Sequence, residues 1–141
     1  MNFSRTATID WKGGIMDGSG EAKAGSGAIS LPVSFPKRIG NAEGTTSPEE
    51  LIAAAHASCF SMALSHVLNE AGTPPDKLEV SVDVTFVPGE GITTSAIEVT
   101  GVVPGVSQEA FAEAAESAKD NCPVSGALKG NVELSVDARL A

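Results

Sequence analysis

The stretch from Thr46 to Val67 limits what this chain can fold into more than any other part of it. Its start carries three helix signals. Ser47 can accept from free backbone N–H groups, and Pro48 stands where its missing N–H costs nothing. Glu50 lies three residues after Ser47, as a capping box requires. Glu49 and Glu50 also sit at the positive end of the helix dipole. The spacing predicts a helix running to Asn69-Glu70-Ala71-Gly72, where Gly72 can end it and Pro74-Pro75 forbids continuation. Beyond the first turn few positions are charged, and a helix that is small or apolar on most faces is expected to be buried. Cys59, His56 and His66 lie inside it, so a thiol in mid-helix is the first candidate for chemistry.

The remaining chain is expected to supply a sheet framework around that helix. Arg5–Trp11 alternates as a strand does, Gly13-Gly14 and Asp17–Gly20 read as turns, and short strands are expected around Glu21–Ala24 and Ile29–Phe35. Lys37-Arg38 then leads into a Gly-containing loop up to Thr45. The glycines there do not form a phosphate-binding loop, since none opens a helix in a strand–loop–helix frame with a following Lys. Leu78, Val80, Val82, Val84 and Phe86 alternate with polar residues, which predicts a half-buried strand. Pro88–Gly91 reads as a hairpin turn and Ile92–Val103 as the returning antiparallel strand. Ser107 can cap a helix with Phe111, Ala114, Ala115 and Ala118 on one stripe. Cys122-Pro123 opens a short helix, and Asn131–Leu140 closes as a strand. The order of elements predicts one α+β domain spanning residues 1–141.

Composition narrows the function. At 141 residues the chain can bury a full core without staples. A net charge of −9 argues against nucleic acid and anionic membrane surfaces, both of which need clustered Lys and Arg. No secretory signal pattern is visible, no apolar run reads as long enough to span a bilayer, and the simplest address is the cytoplasm. In that setting two cysteines, Cys59 and Cys122, read either as buried apolar thiols or as a redox or catalytic pair. Their number and spacing match no regular metal site.

For Cys59 to act as a nucleophile it needs positive charge nearby, because burial alone raises a thiol pKa. Arg38 and His56 are the candidates. Cys122 at a helix N-terminus is placed where a thiolate is favoured. A hydrolase triad of Cys59, His56 and Glu49 within one helix is excluded by distance. At 1.5 Å rise per residue Glu49 and Cys59 lie about 15 Å apart, and His66 is about 10 Å from Cys59. Between Glu49 and Cys59 stand Ala53, Ala54, Ala55, Ala57 and Ser58, small enough for close helix approach. Two copies crossing antiparallel near Ala54 would bring Glu49 of one chain toward Cys59 of the other, twice over.

The run Arg38…Thr46-Ser47-Pro48-Glu49-Glu50-Leu51-Ile52-Ala53-Ala54-Ala55-His56-Ala57-Ser58-Cys59-Phe60, with Cys122-Pro123-Val124-Ser125, resembles the OsmC/Ohr family, closest to its osmotically inducible protein C branch. The resemblance covers essentially the whole chain. It implies an OsmC-like fold of antiparallel sheets around long central helices, assembled as an intertwined homodimer. It implies a peroxidase that reduces organic hydroperoxides, and hydrogen peroxide, to alcohols or water. By position, Cys59 matches the peroxidatic cysteine, Cys122 the resolving one, Arg38 the arginine that activates the thiolate and Glu49 the glutamate that holds the arginine. A Cys59–Cys122 disulfide is then expected during turnover. No flavin, haem or metal is implied, but a lipoylated or other dihydrolipoamide-type dithiol reductant is. Two other classes remain beside it: a cysteine hydrolase using Cys59 and His56, and a non-catalytic stress or binding protein on the same fold with inert thiols.

Overall fold

The structure is a computed structural model that describes every residue from Met1 to Ala141. The chain forms two compact units, Met1–Leu51 and Ile52–Ala141. In the first, strands β1 (Ala7–Lys12), β2 (Ser19–Ala24) and β3 (Ser30–Val33) make an antiparallel sheet in that order. The turn between β1 and β2 is closed by Asp17, whose carboxylate accepts from the Gly14 N–H at 2.9 Å. Its apolar side chains are poorly covered: every residue of β1 is exposed, Ile9 and Trp11 among them.

A short helix, α1 (Phe35–Ile39), follows where the sequence suggested a loop, so Arg38 is helical rather than in a loop. The signals were present. Ser34 accepts from the Lys37 N–H, and Pro36 stands in the first turn, where its lack of an N–H is harmless.

The long helix α2 (Pro48–Glu70) begins and ends where its signals lie. The Ser47 hydroxyl accepts from the Glu50 N–H at 3.1 Å. The reciprocal half of the capping box is replaced, because the Glu50 carboxylate accepts from the Thr46 hydroxyl at 2.8 Å instead. At the other end Gly72 has φ +80°, the left-handed conformation that lets the Thr73 N–H reach back to the Leu68 carbonyl. The helix meets the length and apolarity of a membrane-crossing segment. That corrects the expectation that no run does, and the reason is an alanine-rich interior free of glycine. The core helix of a globular domain has the same composition. Nor is α2 buried all round. One stripe spaced four apart, His56, Phe60, Leu64 and Leu68, is fully buried. Ala54, Ala55, Ser58, Met62 and His66 on other faces are exposed.

The second unit holds a sheet of β4 (Lys77–Val87), β5 (Gly91–Val102) and β6 (Glu133–Leu140), with β5 in the middle. β4 and β5 are the expected antiparallel hairpin. β6 pairs with β5 in parallel, which corrects the expectation of purely antiparallel sheets. Helices α3 (Gln108–Asn121) and α4 (Pro123–Leu128) form a crossover that returns the chain in the direction of β5, as a parallel pair requires. A register shift between Thr85 and Phe86 corrects a second detail. There Thr93 of β5 is left without a partner on β4, and Phe86 is exposed while Val87 is half-buried, where strict alternation had Phe86 facing in.

The core joins Phe60, Leu64 and Leu68 of α2 to Ile97 and Val99 of β5 and to Phe111, Ala115 and Ala118 of α3. Gly101 of β5 is where Phe111 comes closest: a Cβ there would stand 2.6 Å from the ring Cζ. The Gln108 amide donates to the Ala138 carbonyl and accepts from the Leu140 N–H, so a side chain satisfies backbone groups of β6.

Candidate active site

The four residues singled out from the sequence fall into two pairs, one in each unit. In the first unit α1 presents Arg38 and the first turn of α2 presents Glu49. The guanidinium grips the carboxylate as a fork, with Nη2 at 2.6 Å from Oε1 and Nε at 3.0 and 3.1 Å from the two oxygens. Such bidentate pairs fix orientation as well as charge. The hydrogen bond from Arg38 holds the Glu49 carboxyl below the usual carboxylate range, against the opposing effect of burial, and the same bond raises the Arg38 pKa. A cavity of about 330 Å³ borders this arginine, walled by Ile9, Trp11, Ile15, Val33, Phe35 and Leu51. Its lining is almost wholly apolar apart from Arg38.

In the second unit Cys59 of α2 and Cys122 are brought together as free thiols within hydrogen-bonding reach of one another. Cys59 is half-buried and Cys122 fully buried. They are not equivalent. Burial pushes the Cys59 thiol up, and its hydrogen bond to Cys122 pushes the same way; no cation stands among the leading influences on it. Burial is the largest single influence on Cys122 as well, and it opposes ionisation. The bond from Cys59, the N–H groups of Ser125 and Val124 and the Ser125 hydroxyl together outweigh it, so the Cys122 pKa is lowered. None of these is a regular side-chain cap on α4, although Cys122 occupies the N-cap position.

His56 is nowhere free to act on Cys59. Its Nδ1 is 2.7 Å from the Ser95 hydroxyl and its Nε2 is 2.8 Å from the Ser125 hydroxyl, so both ring nitrogens are occupied. Burial lowers its pKa and keeps the ring neutral. A Cys59–His56 hydrolase pair has no nitrogen left to serve it. His66 is exposed on α2, and Phe60 and Leu64 belong to the core.

Ser95 and Ser125 were not singled out from the sequence, yet both had a signal. Ser95 shares the inward parity of Ile97, Val99 and Gly101 along β5, and Ser125 lies one helical turn after Cys122.

The chain is 38% identical over 138 residues to peroxiredoxin OsmC of Escherichia coli (strain K12), covering 95% of this chain and 96% of that protein. It is 29% identical over 136 residues to the organic hydroperoxide resistance protein OhrB of Bacillus subtilis (strain 168), covering 95% and 97%. Its fold superimposes on a crystal structure of an organic hydroperoxide resistance protein OsmC from Legionella pneumophila with a TM-score of 0.76 at 25% identity, over 99% of this chain and 98% of that one. The family model for OsmC-like proteins matches residues 40–137, and the chain belongs to that family.

Proposed function

We infer that this protein is a thiol-dependent hydroperoxide reductase, acting on organic hydroperoxides and on hydrogen peroxide. The observation that carries the reading is the meeting of two free thiols, Cys59 and Cys122, in a chain whose relatives bear peroxiredoxin and hydroperoxide resistance names. The Cys59 thiolate attacks one peroxide oxygen, the O–O bond breaks, and the departing alkoxide takes a proton to leave as alcohol. Cys59 is left as a sulfenic acid. The Cys122 thiolate then attacks the Cys59 sulfur, hydroxide leaves and becomes water, and a Cys59–Cys122 disulfide remains. Reopening it takes two electrons from a dithiol, for which a lipoylated or dihydrolipoamide-type reductant is the proposed donor; no flavin, haem or metal takes part. Such dithiols suit a cytoplasmic address.

Cys59 needs a cation to ionise, and Arg38 is the proposed source. Glu49 aims it through the bidentate pair, and the apolar cavity beside Arg38 suits the organic part of a hydroperoxide. The Arg38–Glu49 pair of one subunit is proposed to serve Cys59 of the partner subunit in a homodimer. Ten residues of continuous helix, about 15 Å, separate Glu49 from Cys59 within a chain. The exposed small and apolar positions of α2 and the uncovered apolar residues of β1 support a partner.

Stopped-flow reaction with an alkyl hydroperoxide tests the reading. Cys59→Ser abolishes peroxide consumption. Cys122→Ser consumes about one equivalent and stops as an oxidised monothiol. Equal single-turnover consumption by the Cys59→Ser protein overturns it. A peroxide-inert protein whose two cysteines alkylate slowly and equally is a non-catalytic member of the fold.

A further inference from the structure

The Ser95–His56–Ser125 chain is buried from end to end and has no part in the reaction as derived above. All three side chains are between 0 and 2% exposed. They come from three elements, β5, α2 and α4. A polar chain of this kind inside a core is retained only if every hydrogen has an acceptor.

That requirement fixes the direction of its protons. Neither serine hydroxyl has another nitrogen or oxygen partner. Ser95 has one hydrogen to place, and the only acceptor within reach is Nδ1 of His56. Donation there leaves Nδ1 unprotonated, and a neutral ring then carries its hydrogen on Nε2. Nε2–H donates to the Ser125 oxygen. The Ser125 hydrogen cannot point back at the ring, and no carbonyl receives it. The acceptor left to it is the sulfur of Cys122, three residues earlier at the start of α4, on which the Ser125 hydroxyl acts. The opposite tautomer leaves the Ser95 hydrogen buried with nothing to receive it.

We propose that His56 is a positioning residue for Cys122: locked by Ser95 as the Nε2–H tautomer, it turns the Ser125 hydroxyl so that its hydrogen faces the Cys122 sulfur and holds that sulfur as a thiolate. The lowered Cys122 pKa, to which the Ser125 hydroxyl contributes, agrees with this direction. His56 does not itself take up a proton, since burial keeps it neutral. The other titratable groups around this point are Cys59 on α2, Lys119 and Asp120 at the end of α3, and Lys129 after α4; the last three share a surface cavity with Ser125. Lys119 is paired with Glu116 and Asp120, so the cluster is a fixed background to the comparison of variants. The consequence for turnover rests on the reading of Cys122 as the resolving cysteine. With the thiolate already formed, its attack on the Cys59 sulfenic acid needs no prior proton removal, and the S–O bond breaks as the disulfide forms.

Two measurements need no peroxide and so stand apart from the peroxidase reading. Nitrogen-15 NMR of histidine in the reduced wild-type protein is expected to show His56 with the hydrogen on Nε2 and a bare Nδ1; the reverse assignment overturns the proposal. In a Cys59→Ser background, where Cys122 is the only thiol, the pH dependence of thiolate absorbance reads Cys122 alone. Adding Ser125→Ala is expected to raise the midpoint by about one unit, a tenfold loss of thiolate below it. Ser125→Thr, which keeps the hydroxyl, restores it, and Ser95→Ala raises it by less. An unchanged midpoint in both alanine variants overturns the proposal. With both cysteines present and alkyl hydroperoxide added, Ser125→Ala is expected to accumulate sulfenic acid because resolution slows about tenfold while attack by Cys59 slows far less. Equal slowing of both steps marks a general structural defect and also overturns it. Absence of any peroxide reaction in the wild type counts against the peroxidase reading and leaves the titration to decide the role of His56.

Discussion

At the residue scale the most telling feature is how differently two kinds of titratable group are handled, an ion pair near the surface and a histidine sealed in the core. Arg38 and Glu49 keep their charges by gripping each other, whereas His56 gives up its charge and keeps two hydrogen bonds. The Arg38 bond depresses the Glu49 pKa in the folded protein. A depressed carboxylate contributes stability that is complete above its unfolded value, about 4.3 for Glu, and that fades as pH falls through the folded value. Because the arginine side chain is one-third exposed, the pair is worth about 1 kcal/mol or less. Glu49→Gln is therefore expected to lie below wild type by that amount in denaturant unfolding at pH 7, with the gap shrinking below about pH 4. A gap that stays constant into acid would show that ionised Glu49 is not what Arg38 stabilises.

At the scale of elements, the decisive contacts are those that lock α3 onto the sheet. Phe111 lies against Gly101 of β5 and is fully buried, so the ring has no outward path. Gly101 itself is not strained. It has to be glycine because a Cβ would meet Cζ at 2.6 Å and Cε1 at 2.9 Å. Gly101→Ala is expected to cost about 1–3 kcal/mol by overpacking. Trimming the ring with Phe111→Leu in the same chain should recover part of it, so that the double variant falls short of the summed losses. Thermal or denaturant unfolding of the four proteins measures this coupling. Additive losses would mean that the backbone shifts to absorb the methyl group. The irregularity at Thr85/Phe86 belongs to the same scale: where Thr93 of β5 goes unpaired, the in-and-out alternation of β4 changes phase.

At the scale of the whole molecule, both units leave large apolar side chains open. Ile9, Trp11, Ile15, Met62 and Phe86 are all more than 40% exposed, and a partner subunit is proposed to cover part of that surface. The proposed homodimer with a shared site gives a sharp expectation. Chains carrying Glu49→Ala and chains carrying Cys59→Ser are each nearly inactive toward alkyl hydroperoxide. Refolded together, their heterodimers recover up to half of the wild-type activity, because one of the two sites then has Glu49 from one subunit and Cys59 from the other. The measurement is peroxide consumption by heterodimers verified through differential tags. Verified heterodimers without activity would return both residues to one subunit or remove Glu49 from the reaction.

Much of this was legible before any coordinates. The bounds of α2 follow from local signals, Ser47, Pro48 and Gly72, that act within a few residues and need no tertiary partner. The β4–β5 hairpin and the cap of α3 at Ser107 are local in the same way. The pairing of Arg38 with Glu49 could be proposed from residue type and resemblance, but its fork geometry depends on α1, a five-residue helix with too few turns to leave a periodic trace. What the tertiary structure alone decided is non-local. The parallel course of β6 depends on where a two-helix crossover delivers the chain, and hydrophobic alternation is the same for either direction. The role of His56 depends on serines 39 and 69 residues away. The sequence shows that a histidine occupies the buried stripe of α2; only the folded chain shows which hydroxyls meet its two nitrogens, because hydrogen-bond partners across a core are chosen by packing and leave no spacing to read.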